Sequence, residues 1–216
     1  MSRNIVTNQN IVTNYREEKL RAREALKRGL LDAAGRLLGE EGPGALSMRR
    51  ISREVNCSTK MLYPLFGGKQ ELVEELWLEG FDRLCLAMEA VEHPGDPWAY
   101  VVALGRAYRQ NALSNPNHYA VMFGGAVPGF EPSEEGLRRS EMAFGVLVEA
   151  VVECGEAGVI PSSDPLAVAS VLWSTVHGAV SLELAGRLKR DGPGVFEEAV
   201  RILGEGYLVG ERQRDE

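Results

Sequence analysis

Apolar side chains recur at three- and four-residue spacing along most of this chain. A first stripe lies between Arg16 and Glu40 and comprises Leu26, Leu30, Ala33, Ala34, Leu37 and Leu38. Gly42-Pro43-Gly44 ends it. A second stripe follows Gly67-Gly68 and comprises Leu72, Leu76, Phe81, Leu84, Met88 and Val91. This spacing predicts two long amphipathic helices.

Further helix starts are marked by a capping or acidic residue with proline just inside the helix. They are Asp96-Pro97, Asn115-Pro116, Glu131-Pro132, Asp164-Pro165 and Asp191-Gly192-Pro193. No stretch alternates apolar and polar residues between turn signals, as a strand would. The sequence therefore predicts an all-α fold of about nine helices.

Two short helical patterns lie between the long ones, in LSMRRISREVNCSTKMLYPLF at 46–66. Ser47 is a good N-cap for the first, and Asn56 can enter the left-handed region at a turn. Ser58 or Thr59 can begin the second. Pro64 disfavours helical geometry at Tyr63, which predicts a second helix that is short or distorted at its end.

This pattern is typical of a helix-turn-helix that reads the DNA major groove, with Thr59, Lys60, Met61 and Tyr63 exposed near the start of the second helix. A surface hairpin with a basic face is the alternative. The whole chain has 24 Lys/Arg and 31 Asp/Glu, but residues 1–70 hold 13 basic and 7 acidic residues. The positive end suits phosphate, which favours the DNA interpretation.

Residues 1–15 are polar and repeat NIVTN at 4–8 and 10–14. They could pair as a strand, but without a helical pattern we expect a flexible arm, with Arg3 available to phosphate. The expected domains are therefore the arm at 1–15, a three-helix DNA-binding head at 16–67, and a helical domain at 68–216.

A run without charged residues extends from Pro165 to Leu182. Its serines, histidine, glycine and proline, and its acidic flanks, argue against a membrane span. We expect a helix buried on most sides, covered in part by a partner subunit. Three widely separated cysteines suggest neither disulfides nor a metal site, and no secretory signal precedes the head, so a cytoplasmic protein is expected.

Residues 20–80, approximately, resemble the head of TetR-family transcriptional regulators. The resemblance lies in the order of three segments: a long helix, then SMRRISREVNCSTKMLYPLF, then GGKQELVEELW. Asn56 stands where the family commonly has glycine, and Pro64 where histidine or another aromatic or polar residue is usual. The resemblance implies DNA contacts from Ser47, Thr59, Lys60, Tyr63 and Lys69, with Lys60 placed for base readout. Arg49, which points outward from the first short helix, joins this set. Core packing is the alternative role for Tyr63.

Trp173-x-x-x-His177-Gly178 resembles the Trp–His–Gly group of TetR-type C-terminal domains. The pair could bind a ligand; alternatively, His177 is a satisfied core histidine and Trp173 packs beside a dimer seam. Family architecture implies a homodimer through helices at about 164–190 and 194–210. Two heads about 34 Å apart would then read a palindromic operator.

The expected effector site lies among the middle helices. Its candidate residues are Leu104, Tyr108, Met122, Phe123, Phe144, Leu147, Trp173 and His177. Few charges lie nearby, so a largely apolar small molecule is expected, with the glycine-rich stretch 124–130 as a gate. We expect a ligand-responsive regulator, most simply a repressor, with no cofactor and no metal.

Two other classes of protein are alternatives to this interpretation. An enzyme is disfavoured because no G-x-S-x-G, metal-ligand spacing or phosphate loop occurs. A helical protein-interaction module with a degenerate DNA-binding head is the stronger alternative, because the acidic body could bind basic partners.

Overall fold

The computed structural model describes residues 4–161 and 164–208, with side chains from Tyr15 onward. Within these ranges it contains nine α-helices, one short 3-10 helix at Pro43–Ala45 and no strand, which confirms the all-α prediction. The α-helices are α1 (Asn4–Glu41), α2 (Met48–Glu54), α3 (Thr59–Phe66), α4 (Lys69–Glu89), α5 (Pro97–Ser114), α6 (Pro116–Phe123), α7 (Glu134–Glu156), α8 (Pro165–Leu184) and α9 (Gly192–Tyr207).

The chain forms two compact units. The head comprises the residues up to Leu76 together with Gly125–Phe130, and the body comprises Trp77–Gly124 and the residues from Glu131 onward. The expected boundary at residue 68 coincides with the start of α4, whereas the units divide inside that helix. The difference arises because the first two turns of α4 bury Leu72, Val73 and Leu76 and so belong to the head.

Helix α1 begins at Asn4, twelve residues before the expected start at Arg16. The expectation that the NIVTN repeat has no helical structure was therefore wrong for residues 4–15, and residues 1–3 lie outside the described part of the chain. Extending an established helix by one residue requires much less free energy than nucleating a new one. Weak helix formers can therefore be added at the N-terminal end of a strongly helical segment. From Tyr15 to Ala25 every side chain is exposed.

The head core is built on the second half of α1. Its apolar stripe is buried from Leu30 onward, and the short helices that follow bury Met48, Ile51 and Ser52 of α2 and Leu62 and Phe66 of α3. Each fully buried leucine or isoleucine contributes roughly 1.5–3 kcal/mol. These buried residues hold α2 and α3 on the head core.

In the body, α5 packs against α7 and α8, and α8 packs against α9. The predicted starts of α5, α6, α8 and α9 are confirmed. Helix α7 begins at Glu134 instead of Pro132, because the Ser133 hydroxyl accepts a hydrogen bond from the Gly136 amide. Two glutamates then follow in the first turn, where they complement the helix dipole.

Two arginines of α5 link it to the last helices. Arg109 forms a bidentate ion pair with Glu183 of α8 at 2.8 and 2.5 Å, and its guanidinium lies 5.7 Å from the centre of the Phe196 ring. The neighbouring Arg106 pairs in the same way with Glu197 of α9. The Arg109–Glu183 pair is largely shielded from solvent and raises the pKa of Arg109.

Helix α8 is long and apolar enough to meet the length and composition criteria for a membrane span, which core helices also meet. One side of it is buried, through Val168, Leu172 and Val180. The opposite side exposes Val171 at 45% and Leu182 at 46%. The expected burial on most sides is therefore not reached by this chain alone.

The turn between α2 and α3 offers a test of backbone strain. Asn56 has a φ of 53°, and it is the non-glycine residue with positive φ in the described part of the chain. We expect Asn56→Ala to lower the free energy of unfolding by about 1 kcal/mol, because the left-handed conformation is less favourable for alanine than for asparagine or glycine. Urea denaturation followed by circular dichroism measures it. Asn56→Gly is the control and should match or exceed the wild type; an equally stable alanine variant would contradict the argument.

Candidate functional site

The helix-turn-helix in the head is held by caps at both short helices. The Ser47 hydroxyl accepts from the Arg50 amide at 3.2 Å, and the Ser58 hydroxyl accepts from the Lys60 amide at the same distance. These bonds satisfy amides that the first turns leave open. Ser58, one of two expected caps, is thus the N-cap of α3, and Thr59 is its first helical residue.

Helix α3 presents a mixed cationic and aromatic face to solvent. Leu62 and Phe66 are buried on its inner side, while Lys60 is exposed and Tyr63 is 56% exposed. Lys60 and Tyr63 are three residues apart and therefore share a helical face. The core-packing alternative for Tyr63 is wrong in this structure, because its ring lies outside the head core.

Pro64 lies inside α3, and the helix continues to Phe66. The helix is eight residues long, so the prediction of a short helix is confirmed, although Tyr63 and Pro64 both lie inside it. The missing amide costs one hydrogen bond to the Lys60 carbonyl, but only two residues follow before Gly67 ends the helix with a φ of 77°. The Pro64 carbonyl accepts a hydrogen bond from Arg23 of α1 at 3.4 Å.

The remaining predicted DNA contacts lie at the ends of neighbouring helices. Ser47 and Arg49 are exposed at the start of α2, and Thr59 is half-buried at the start of α3. Lys69 is exposed at the start of α4, where its Nζ donates to the Pro43 carbonyl at 3.2 Å. Arg50 is already paired with Glu41 and Glu54, whose hydrogen bonds raise its pKa.

The body contains a cavity of about 450 Å³. Seven of the eight predicted ligand residues line it: Leu104, Tyr108, Met122, Phe123, Phe144, Leu147 and Trp173. They come from α5, α6, α7 and α8, which are far apart in sequence. Its size is within the range of small-molecule sites in proteins.

Aromatic rings dominate the wall of this cavity. All three tryptophans of the chain line it, with Phe81, Phe123, Phe144 and Tyr108. Sequence reasoning missed Trp77, Trp98 and Glu141. Trp77 lies in α4 and Trp98 in the first turn of α5, so the sequence predicts that both are helical. The sequence does not predict that both side chains face the cavity.

His177 does not line the cavity and lies behind Tyr108. The Tyr108 and Tyr119 hydroxyls lie 2.8 and 2.9 Å from His177 Nδ1, and Ser181 Oγ lies 2.8 Å from the Tyr119 hydroxyl. Nε2 of the same ring lies 3.4 Å from Ser181 Oγ, so both ring nitrogens lie within hydrogen-bond distance of hydroxyl groups. Burial lowers the pKa of His177, which favours the neutral imidazole.

The two residues of the predicted Trp173–His177 pair therefore have different roles. Trp173 faces the cavity, whereas His177 satisfies buried hydroxyls, as the core-histidine alternative expected. Tyr108 connects the two, because it lines the cavity and bonds to His177. Burial raises the pKa of the Tyr108 phenol, which therefore stays protonated.

Among residues 4–161 and 164–208, no group of three His, Cys, Asp or Glu side chains could hold a metal ion.

Comparison with known proteins supports both parts. Residues 30–76 match the sequence profile described as bacterial regulatory proteins, tetR family, and residues 101–203 match that of the tetracyclin repressor-like C-terminal domain. The HTH-type transcriptional regulator Rv1816 of Mycobacterium tuberculosis is 25% identical, over 84% of this chain and 92% of the relative.

Solved structures share the fold. A protein with unknown function from Rhodococcus sp. RHA1 superposes with a TM-score of 0.72 at 29% identity, covering 85% of this chain and 96% of that one. PfmR, a TetR family transcriptional regulator from Thermus thermophilus, superposes with a TM-score of 0.66 at 20% identity, covering 81% and 96%. The second likeness shows the fold alone.

The head and the body thus define a helix-turn-helix regulator. The chain belongs to the TetR family of DNA-binding transcriptional regulators. Members of this family regulate transcription and are not enzymes.

The buried histidine predicts a pH dependence of stability. Below about pH 6.5 the unfolded chain binds a proton at residue 177 that the folded chain does not, so stability is lost as pH falls toward the lowered folded-state pKa. Between about pH 7.5 and about pH 5.5 we expect the wild type to lose a few tenths to about 1 kcal/mol more unfolding free energy than His177→Gln. Urea denaturation at both pH values measures this. Lys189→Ala, at an exposed lysine of the body, is the control and should behave like the wild type. Identical losses in wild type and His177→Gln would contradict the assignment.

Proposed function

We propose that this protein is a cytoplasmic repressor that binds a palindromic operator as a homodimer and is released by a small, largely apolar effector. The observation that carries the proposal is the exposed Lys60–Tyr63 face of α3, in a chain whose body also holds an aromatic cavity. Each part of the proposal has its own structural support.

DNA binding rests on the chemistry of the head. Lys60 can donate to guanine O6 and N7, and the Tyr63 hydroxyl can donate to a phosphate. Ser47, Arg49, Thr59 and Lys69 place further donors at helix starts, where phosphate groups are favoured. Residues 1–70, with their excess of basic residues, supply the long-range attraction.

Dimerisation rests on the exposed side of the last two long helices. On α8 a strip of small and aliphatic residues recurs every three or four positions: Ala167, Val171, Ser174, Gly178 and Leu182. On α9, Ile202 is 54% exposed. Burying such a face against a second copy removes apolar surface from water, and a two-fold dimer suits a palindromic operator.

Release by an effector rests on α4 and on the loop after α6. Trp77, Phe81, Leu84 and Met88 of α4 line the cavity, and the same helix continues into the head through Leu76. Met122 and Phe123 also line the cavity, and the residues that follow, Gly125–Phe130, group with the head. An effector needs a coupling free energy of only about 1–3 kcal/mol to shift operator affinity.

DNA binding is tested with DNA upstream of the protein's own gene and a random duplex of equal length, across a salt series. We expect a preference of about 10³-fold or more for the operator, with a steep salt dependence. Lys60→Ala/Tyr63→Ala should lose this preference while keeping its helical circular dichroism. Lys189→Ala, at an exposed lysine of the body, is the matched control.

If upstream DNA gives no preference, selection from a random DNA pool finds an operator elsewhere. A double variant that retains full operator preference contradicts the proposed interface and favours the protein-interaction module. If cavity ligands saturate the body without changing operator affinity, the switch is contradicted while DNA binding stands.

The dimer face is tested by placing charge on it. Val171→Asp/Leu182→Asp should shift the protein to monomer in analytical ultracentrifugation, because two carboxylates would be buried without partners at the seam. Leu86→Asp is the control, since Leu86 of α4 is 61% exposed and lies outside the proposed face. A double variant that stays dimeric at micromolar concentration would show that another surface forms the dimer.

A further inference from the structure

The cavity of the body has an asymmetric charge. Among its described lining residues Glu141 of α7 is charged, and neither lysine nor arginine is present. Glu141 is exposed at the edge of the cavity and takes part in none of the ion pairs of the described body. The arginines that precede it, Arg138 and Arg139, pair with Glu135, and Arg139 also pairs with Asp82. A carboxylate therefore borders the cavity, and the arginines near it in α7 are paired with other carboxylates.

Most of the hydroxyl groups that line the cavity already form hydrogen bonds within the protein. Ser140 Oγ donates to the Leu137 carbonyl at 2.8 Å, and Ser170 Oγ donates to the Leu166 carbonyl at 2.7 Å. The Tyr108 hydroxyl lies 2.8 Å from His177 Nδ1. These oxygens offer lone pairs to a ligand, and Ser174 is the remaining lining hydroxyl.

Aromatic faces complete this pattern. Seven aromatic side chains line the cavity, and the faces of such rings attract cations, tryptophan most strongly. An anionic ligand would meet Glu141 and no compensating cation. A protonated amine would meet a carboxylate, hydroxyl lone pairs and aromatic faces, each of which favours positive charge or N–H donation.

We infer that the effector is a monocation, an apolar body that fills the aromatic cavity and carries one protonated amine beside Glu141. This inference rests on the proposed effector function of the cavity and specifies the ligand class. The apolar body provides most of the buried area, and the amine provides selectivity against neutral and anionic analogues.

The test compares three ligands that differ only in the head group: 4-phenylbutylamine, 4-phenylbutanol and 4-phenylbutyrate. Because all three tryptophans of the chain line the cavity, intrinsic tryptophan fluorescence of the full-length protein reports binding directly. We expect the amine to bind about tenfold more tightly than the alcohol, and the carboxylate to bind most weakly. Glu141→Gln should remove the tenfold advantage of the amine and leave alcohol binding unchanged.

Glu149→Gln is the matched control, since Glu149 is an exposed glutamate two turns further along α7 that does not line the cavity. It should bind all three ligands as the wild type does. Equal affinity for amine and alcohol in the wild type, no fluorescence change with any ligand, or an amine preference that survives Glu141→Gln would each overturn the inference. Operator affinity is measured in parallel. An amine that binds through Glu141 but leaves operator affinity unchanged would contradict the proposed release mechanism and leave the ligand class intact.

Discussion

One continuous helix has to supply side chains to two separate hydrophobic cores. Helix α4 buries Leu72 and Leu76 in the head and Phe81, Leu84 and Met88 in the body, and no break interrupts the stripe. Gly80 permits the close approach of α6 in the body, because a Cβ there would lie 2.5 Å from Met122 Sδ. The same helix thus belongs to the core of the head through its first turns and lines the cavity of the body through its later ones.

Much of the helical architecture could be predicted because its signals are local. Caps such as Asp96, which accepts from the Ala99 amide at 2.6 Å, act within one turn of the residue that carries them. Asn56 adopts the left-handed conformation expected of it for a similarly local reason. Where expectation failed, two local signals competed. Helix α7 is capped by Ser133 and not by Glu131. Helix α3 includes Pro64 because only two helical residues follow the proline.

The cavity could be predicted only in part, because it is the space left between helices that are distant in sequence. Large apolar residues near the middle of the chain were identifiable, and most of those named do line it. Whether a residue faces the space or the core behind it depends on neighbours from other helices. Trp173 and His177 lie one turn apart on α8, yet Tyr108 and Tyr119 engage the histidine and leave the tryptophan at the wall. Their spacing alone contains no information about those two tyrosines.

The buried polar network also affects what the cavity can recognise. His177 lies within hydrogen-bond distance of the Tyr108 and Tyr119 hydroxyls, and Tyr108 also lines the cavity, so one wall residue is fixed by this buried network. The same helix presents Leu172 and Val176 to the cavity and Val171 and Leu182 to solvent, on the face proposed for the dimer. A ligand that displaces α8 by a fraction of an ångström would therefore change the packing at that face, since closely packed interfaces do not deform continuously. In the proposed dimer, α8 would therefore connect the cavity wall to the dimer face.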